Sequence, residues 1–274
     1  MLNQMSVAVI GGDRRQDLLA ELLAADGHKT HIIHTAKDLL LLEHTDLTVF
    51  PLPACREDGT VSETGLTASE IFLHIPHGSA AAGGRIPPSL YGMAQLRGVT
   101  LHDYTKREDF AIANALATAE GALGIAVMET DETIQGAACL VIGNGRIGKL
   151  LARKLALLGA HITVSARRAD DLTWIQTNGH TAVQTAAIKD VVGEFDIIFN
   201  TVPSLVMDTS VLEEVRPSAL IIDLASKPGG VDFDTAQALG RRTIWALSLP
   251  AKTAPRSAAG YVRDSLYHIM EERT

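Results

Sequence analysis

The sequence predicts an α/β protein built from two parallel-sheet domains, on three observations. Short apolar runs alternate with helical stretches along nearly the whole chain, as repeated strand–helix units require. Glycine turns follow the runs Val7–Ile10 and Cys139–Ile142, and each turn opens a helix. The 274 residues are 46% hydrophobic but only 4% aromatic, the balance of a sheet of small and branched side chains covered by helices on both faces. A chain of this length accommodates two domains of ordinary size, each with its own core.

The second glycine turn carries the most information. Cys139-Leu140-Val141-Ile142 reads as a buried parallel strand, and Lys149–Leu158 reads as the helix that follows. Between them, Gly143-Asn144-Gly145-Arg146-Ile147-Gly148 has the G-x-G-x-x-G spacing in the strand–turn–helix context that gives it meaning. Gly143 permits the tight turn, Gly145 lets a pyrophosphate approach bare backbone, and Gly148 lets helix and strand pack closely. The phosphates then meet the free N–H groups at the helix start. All six residues are therefore expected to bind a dinucleotide on a Rossmann-like domain.

The next unit indicates which dinucleotide. Ala160–Val164 reads as a strand and leads into Ser165-Ala166-Arg167-Arg168. A cofactor with a free ribose 2′-hydroxyl usually meets Asp or Glu about 20 residues beyond the motif. Here that place holds Ser165, followed by two guanidinium groups, which suit a 2′-phosphate that a carboxylate would repel. The expected cofactor is NADP, held by Ser165, Ala166, Arg167 and Arg168.

The first unit begins the same way and does not complete the motif. After Gly11, Asp13 and Gln16 stand where the second and third glycines would be, so a phosphate would meet side chains instead of backbone. A Rossmann-like substrate domain is expected here. Its helix runs to about Ala25, and further strands are expected at 30–34, 46–50, 78–83 and 98–102. The Pro-containing stretch 51–65 reads as a surface loop or flap. A long helix from Lys106 to about Met128, with a break at Gly121–Gly124, bridges to the second domain. There Phe195–Asn200, Ala219–Asp223 and Thr243–Leu247 are further strands. A C-terminal helix over about 255–272 follows, and with the strands spent it is expected to return to the first domain. The expected division is 1–128 for the substrate domain with its bridging helix, 129–252 for the NADP domain and 253–274 for the returning helix, with a cleft between the domains.

Charge and composition exclude several classes. A formal net charge of −8 argues against general nucleic-acid binding. No early basic-then-apolar signal precedes Ser6, and no uncharged apolar run reaches the ~18 residues of a membrane span. Cys55 and Cys139 cannot build a disulfide framework, and neither sits in a metal-like cluster. His74 and His77 have a helical metal spacing, but no neighbouring carboxylate or thiol completes a set. The expectation is a cytoplasmic protein without a metal site.

Beyond these generic units, the residues resemble the family of dipicolinate synthase A subunits nearly end to end. The resemblance rests on Ile10-Gly11-Gly12-Asp13-Arg14-Arg15, Arg107–Asn114 with Thr118–Gly121, Thr133-Ile134-Gln135-Gly136, Asn200–Ser204, Asp223–Gly230 and Leu249–Ala258. Gln135 replaces a histidine of the pattern, and Ala251 and Ala259 replace glycines. The resemblance implies oxidation, with NADP, of a dihydro- or hydroxytetrahydrodipicolinate to pyridine-2,6-dicarboxylate in the mother cell of a sporulating bacterium. It also implies a flavoprotein-like second subunit, the B component of dipicolinate synthase. A homo-oligomer is left open. Such a reaction is driven by aromatisation, so the protein mainly positions ring and cofactor and holds two carboxylates.

Candidate residues follow from position. Ser204 and Lys227 come after two strand ends of the cofactor domain, where side chains face the nicotinamide side, and Lys227 is the better carboxylate or proton partner. Thr201, Val202, Pro203 and Ala225 border the same crevice. Glu120 is a candidate base. Asn114, Arg256 and Ser257 are candidate substrate contacts, the last two at the start of the final helix. Arg14 and Arg15, at the first strand–helix turn, form a second candidate carboxylate site. Two other readings stand beside this one: a dehydrogenase of another small carboxylate, shikimate-like or 2-hydroxyacid-like, and an NADP-binding scaffold or sensor without chemistry of its own.

Overall fold

The computed structural model describes residues 3–272. The chain divides into two compact units, Met1–Asn114 with Ala254–Thr274, and Ala115–Thr253. The division falls inside the bridging helix rather than at its end.

In the first unit, β1 (Ser6–Ile10), α1 (Arg14–Ala25), β2 (Lys29–Ile33), β3 (Leu47–Val49), α2 (Ala68–His74), β4 (Ala80–Gly83), α3 (Pro88–Leu96) and β5 (Thr100–Asp103) form a parallel five-stranded sheet of order β2-β1-β3-β4-β5 with its helices. That order is the flavodoxin-like doubly wound arrangement, with its switch point between β1 and β3. Period-2 alternation sends Val7, Val9, Leu47 and Val49 to one face and Ala8 and Ile10 to the other, and both faces are buried. Asp13 caps α1 through its carboxylate on the Arg15 N–H. The stretch 51–65 is packed against the sheet rather than forming a flap: Ala54 and Val61 are buried, and Thr60 bridges Thr67. The helices α2 and α3 have no counterpart in the sequence reading.

α4 (Glu108–Glu129) runs unbroken through Gly121–Gly124. Gly121 serves close packing instead of a break. A Cβ there would lie 2.9 Å from Thr253 Oγ1 and 3.1 Å from Leu249 Cβ. By length and composition α4 could cross a membrane, yet Ala119, Ala122 and Ala126 are buried in the core of the second unit.

The second unit continues with β6 (Ala138–Ile142), α5 (Arg146–Leu157), β7 (His161–Ala166), α6 (Ala169–Thr177), β8 (Thr181–Gln184), β9 (Ile197–Asn200), α7 (Thr209–Glu214), β10 (Leu220–Asp223), α8 (Phe233–Ala238), β11 (Arg242–Trp245) and α9 (Leu249–Thr253). Its six parallel strands are ordered β11-β10-β9-β6-β7-β8. Read from β8, this is the Rossmann order 3-2-1-4-5-6, which places the switch point between β6 and β9. Cys139 and Val141 pack under α4 and α5, while Leu140 and Ile142 pack on the opposite face with Leu212 and Ala236.

The last helix, α10 (Pro255–Glu271), returns to the first unit as expected. Its Ala259, Val262, Leu266 and Ile269 join Leu19 and Leu23 of α1 in one core. At its end, His268 Nδ1 meets Asp109 at 2.7 Å, and Arg107 bonds both Asp109 and Glu272. Partial burial opposes ionisation of Asp109, but hydrogen bonds from Arg107, His268 and the Phe110 N–H outweigh it and hold the pKa down at about 2, against 3.8 for a free carboxyl. A depressed carboxylate contributes stability that is complete above the unfolded value and lost as pH falls through the folded one. Asp109→Asn is therefore expected to flatten the acid limb of the stability curve between pH 3.8 and about 2. Acid titrations of the unfolding midpoint for both proteins test this. Parallel curves over that window would remove the carboxylate from the acid transition.

Candidate active site

The glycine turn sits at the switch point of the second sheet, between β6 and β9. Gly143 has φ +102°, and a Cβ on it would press on Thr201 Oγ1 at 2.5 Å. A Cβ on Gly148 would overlap the Gly143 carbonyl, so only glycine lets α5 pack this closely on the turn. Above Gly145 nothing lies within 4 Å of where a Cβ would be. Open space over bare backbone at a helix start is what a pyrophosphate needs. The residues present thus fit a dinucleotide. Asn144 is half-buried and donates its Nδ2 to Asp171 at 3.2 Å, which fixes the loop to the first turn of α6, while Ile147 is half-buried and Arg146 exposed.

Gly148→Ala sets a helix-propensity gain of up to about 1 kcal/mol against a clash with fixed backbone. Overpacking of that kind costs typically ~1–3 kcal/mol and cannot be relieved by a rotamer. The clash should win, lowering the thermal midpoint and weakening dinucleotide binding at least tenfold. Wild-type binding by the alanine variant would show that the turn is not the phosphate site.

The second strand end corrects one expectation. β7 runs on to Ala166, beyond the expected end at Val164, and Ser165 is fully buried with its hydroxyl accepting from Thr185 Oγ1 at 3.4 Å. Ser165 is therefore not available to a ribose phosphate, and Ala166 is buried beside it. The exposed position after the strand belongs to Arg167. Arg168, also exposed, bonds Asp170 through Nε at 2.9 Å and through its closely placed Nη2. Among the described residues Arg167 makes no ion pair, so it is the guanidinium left open.

Two further loops border the crevice. Thr201 Oγ1 and N–H both donate to Ile142 O, at 2.8 and 3.0 Å, tying the end of β9 to that of β6. Asn200 Oδ1 accepts from Val202 N–H, and its Nδ2 donates to Val202 O and to Asp223 Oδ1. Asp223, fully buried, also accepts from Ala225 N–H at 2.9 Å and Gly230 N–H at 2.8 Å. This network fixes the loops that carry Val202, Pro203 and Ser204 on one side and Ala225 and Lys227 on the other. Pro203, Ser204 and Lys227 are exposed, whereas Ala225 is buried under Trp245 Nε1, which donates to its carbonyl. Sequence reasoning misses Asn200 and Asp223 as working residues. A carboxylate ending the apolar run Leu220-Ile221-Ile222 is the available signal.

Glu120 is a second correction. Its carboxylate pairs with Lys154 Nζ at 2.8 Å. Lys154 lies eight residues along α5 from Arg146, roughly 12 Å from the glycine turn at 1.5 Å per residue. Glu120 therefore sits toward the wrong end of α5 to serve as a base at the cofactor. In the first unit, Arg256 is exposed and faces Glu21 Oε2 at 3.5 Å, and Ser257 beside it is exposed. Arg14 is exposed as well, whereas its neighbour Arg15 is the guanidinium drawn inward. Asn114 is half-buried on α4.

A complete Rossmann sheet with an open glycine turn at its switch point defines a dinucleotide-binding domain, and the matches that follow place it among NAD(P)-dependent oxidoreductases. Residues 114–245 match the family described as D-isomer specific 2-hydroxyacid dehydrogenase, NAD binding domain. Residues 6–105 match the N-terminal domain of the dipicolinate synthase A subunit. The chain is 32% identical to the A subunit of dipicolinate synthase from Bacillus subtilis, over 99% of this chain and 98% of that one. The crystal structure of the dipicolinate synthase A subunit from Bacillus halodurans superimposes with a TM-score of 0.89 at 31% identity, covering 98% of both chains. A transhydrogenase from Sinorhizobium meliloti shares the fold, at TM-score 0.73 and 14% identity over 98% of this chain and 94% of that one. The chain belongs to the family of dipicolinate synthase A subunits. Since the family takes its name from one component of a multi-subunit enzyme, membership implies a partner.

Proposed function

We propose that this chain is the oxidoreductase subunit that converts dihydrodipicolinate, formed from 4-hydroxytetrahydrodipicolinate by loss of water, to pyridine-2,6-dicarboxylate, with NADP as its cofactor. The observation that carries the reading is the end-to-end likeness to the A subunit of dipicolinate synthase, extending through both units at 32% identity. Bound NADP supplies hydride acceptance: one hydride leaves the dihydro ring for the cofactor and one proton leaves for a base or water, which makes the ring aromatic.

The protein's share is binding and orientation. Gly143, Gly145 and Gly148, with the N–H groups that open α5, hold the pyrophosphate. Arg167 takes the 2′-phosphate, with Arg168 joining when its surface pair with Asp170 yields. An exposed pair of this kind contributes about 0–1 kcal/mol, so a dianion can displace it. Thr201, Val202 and Ala225 border the nicotinamide. Lys227 holds a ring carboxylate by its ammonium, and Ser204 offers a hydroxyl from the facing loop. Asn114 is a further substrate contact. The proposed setting is the cytoplasm of a sporulating mother cell, and the proposed partner is a flavoprotein-like second subunit.

The test follows NADPH and pyridine-2,6-dicarboxylate together after mixing the purified chain, NADP and freshly generated 4-hydroxytetrahydrodipicolinate, with and without the partner. Equal yields of both products support the reading. Tight NADP binding with no hydride transfer in either mixture would overturn it in favour of a cofactor-binding scaffold.

A further inference from the structure

The first sheet has a switch point of its own, between β1 and β3, and a notch opens there that no phosphate-binding motif explains. It is lined by Asp13, Arg15, Gln16, Leu52, Tyr104 and Val262. Its floor is sealed: Gln16, buried, donates its Nε2 to Ile10 O at 3.2 Å and to Val49 O at 3.3 Å, closing the carbonyls that end the two strands. A nucleotide phosphate is poorly served here, because the side chain of Gln16 occupies the place a third glycine would leave bare.

Arg15 dominates what remains. Its side chain is 12% exposed. Nε and Nη2 are spent on the two carboxylate oxygens of Asp13, at 2.8 and 2.7 Å, and Nη2 also reaches Leu52 O at 3.2 Å. Nη1 donates to no described residue. The ion pair fixes the guanidinium in one orientation and neutralises Asp13, so neither carboxylate oxygen stands bare to repel an anion. Tyr104, buried beside the pair, keeps its hydroxyl protonated, since burial pushes its pKa well up. The notch has room for roughly one water-sized particle. One oxygen of a carboxylate fits it, and a ring does not. The pair serves the fold through the Asp13 cap of α1 and the Arg15 bond to Leu52 O, and Nη1 is the donor that this structural role leaves over.

We infer that the β1–β3 notch is a carboxylate-binding site, in which Arg15 Nη1, assisted by the Tyr104 hydroxyl, anchors one carboxylate of a small organic acid whose body stays outside. This deepens the proposed function and rests on it for the identity of the acid, one of the two carboxylates of the pyridine ring. Of the two arginines expected to form a carboxylate site here, Arg14 and Arg15, it assigns the role to Arg15 alone.

The test uses the full chain without NADP and pyridine-2,6-dicarboxylate as the probe, with calorimetry and the Arg Nε–Hε resonances as readouts. Saturable binding that shifts the Arg15 Nε–Hε signal is expected. Arg15→Lys should weaken binding at least tenfold, and Arg14→Ala should leave it within twofold. Because Arg15→Lys also disturbs the cap of α1, Leu52→Trp provides a second variant that fills the mouth while keeping the ion pair, and it should block the probe equally. An unmoved Arg15 resonance at saturating probe, or wild-type affinity in both Arg15→Lys and Leu52→Trp, would overturn the assignment. The two readings fail separately. Hydride transfer with a KM indifferent to Arg15 would sink the notch and keep the reaction, whereas Arg15-dependent binding without hydride transfer would do the reverse.

Discussion

Replacing Asp223 by alanine is expected to destabilise the second unit by about 3–5 kcal/mol. The carboxylate is fully buried and satisfies three donors, Asn200 Nδ2, Ala225 N–H and Gly230 N–H. Each buried donor left without an acceptor costs about 1–3 kcal/mol, and the three act as one network, so the sum is less than the largest parts added. Asp223→Asn should cost less, about 1–2 kcal/mol, because one oxygen still accepts while its new amide faces a donor. Denaturant unfolding separates the two. The same variants should raise the KM for cofactor, since the loops bearing Val202 and Lys227 lose their common anchor. A neutral Asp223→Ala would mean that water replaces the carboxylate and that the network does not hold the loops.

The second large effect concerns the cofactor. Arg167→Ala with Arg168→Ala should weaken NADP by roughly 10- to 100-fold, since hydrogen bonds to charged groups contribute about 1.5–3 kcal/mol and exposed ones fall at the low end. NAD, which has no 2′-phosphate, should bind within about twofold of wild type. Arg167→Ala alone should account for most of the loss, because Arg168 is engaged by Asp170. Equal losses for NADP and NAD would remove the basis for assigning the 2′-phosphate to this turn.

These two predictions differ in how far the sequence reveals them. The glycine turn at Gly143–Gly148 is legible because its function depends on backbone, and backbone demands leave glycines at fixed spacing. Both parallel sheets are legible for a related reason, since a strand buried on two faces must be apolar throughout. α2 and α3 are not, because they lie among Gly, Pro and polar residues that also suit loops. Side-chain assignments fare according to whether a partner lies near in sequence. Arg168 and Asp170 are close enough to guess at. Glu120 meets Lys154 only through the packing of α4 on α5, and Ser165 is buried because β7 continues two residues past its expected end. Gly121 reads as a helix break, although it exists to admit Thr253. The inward turn of Arg15 rather than Arg14 depends on the Asp13 cap, which no period in the sequence specifies.

The central claim is that hydride from the ring reaches a nicotinamide held by this chain. The most direct measurement starts from ring-deuterated 4-hydroxytetrahydrodipicolinate, NADP and the purified chain, and follows the label by mass spectrometry. Deuterium at the nicotinamide of NADPH, formed in step with pyridine-2,6-dicarboxylate, is the predicted result. Pyridine-2,6-dicarboxylate formed beside unlabelled or unreduced cofactor would place the oxidation elsewhere and leave this chain with binding alone.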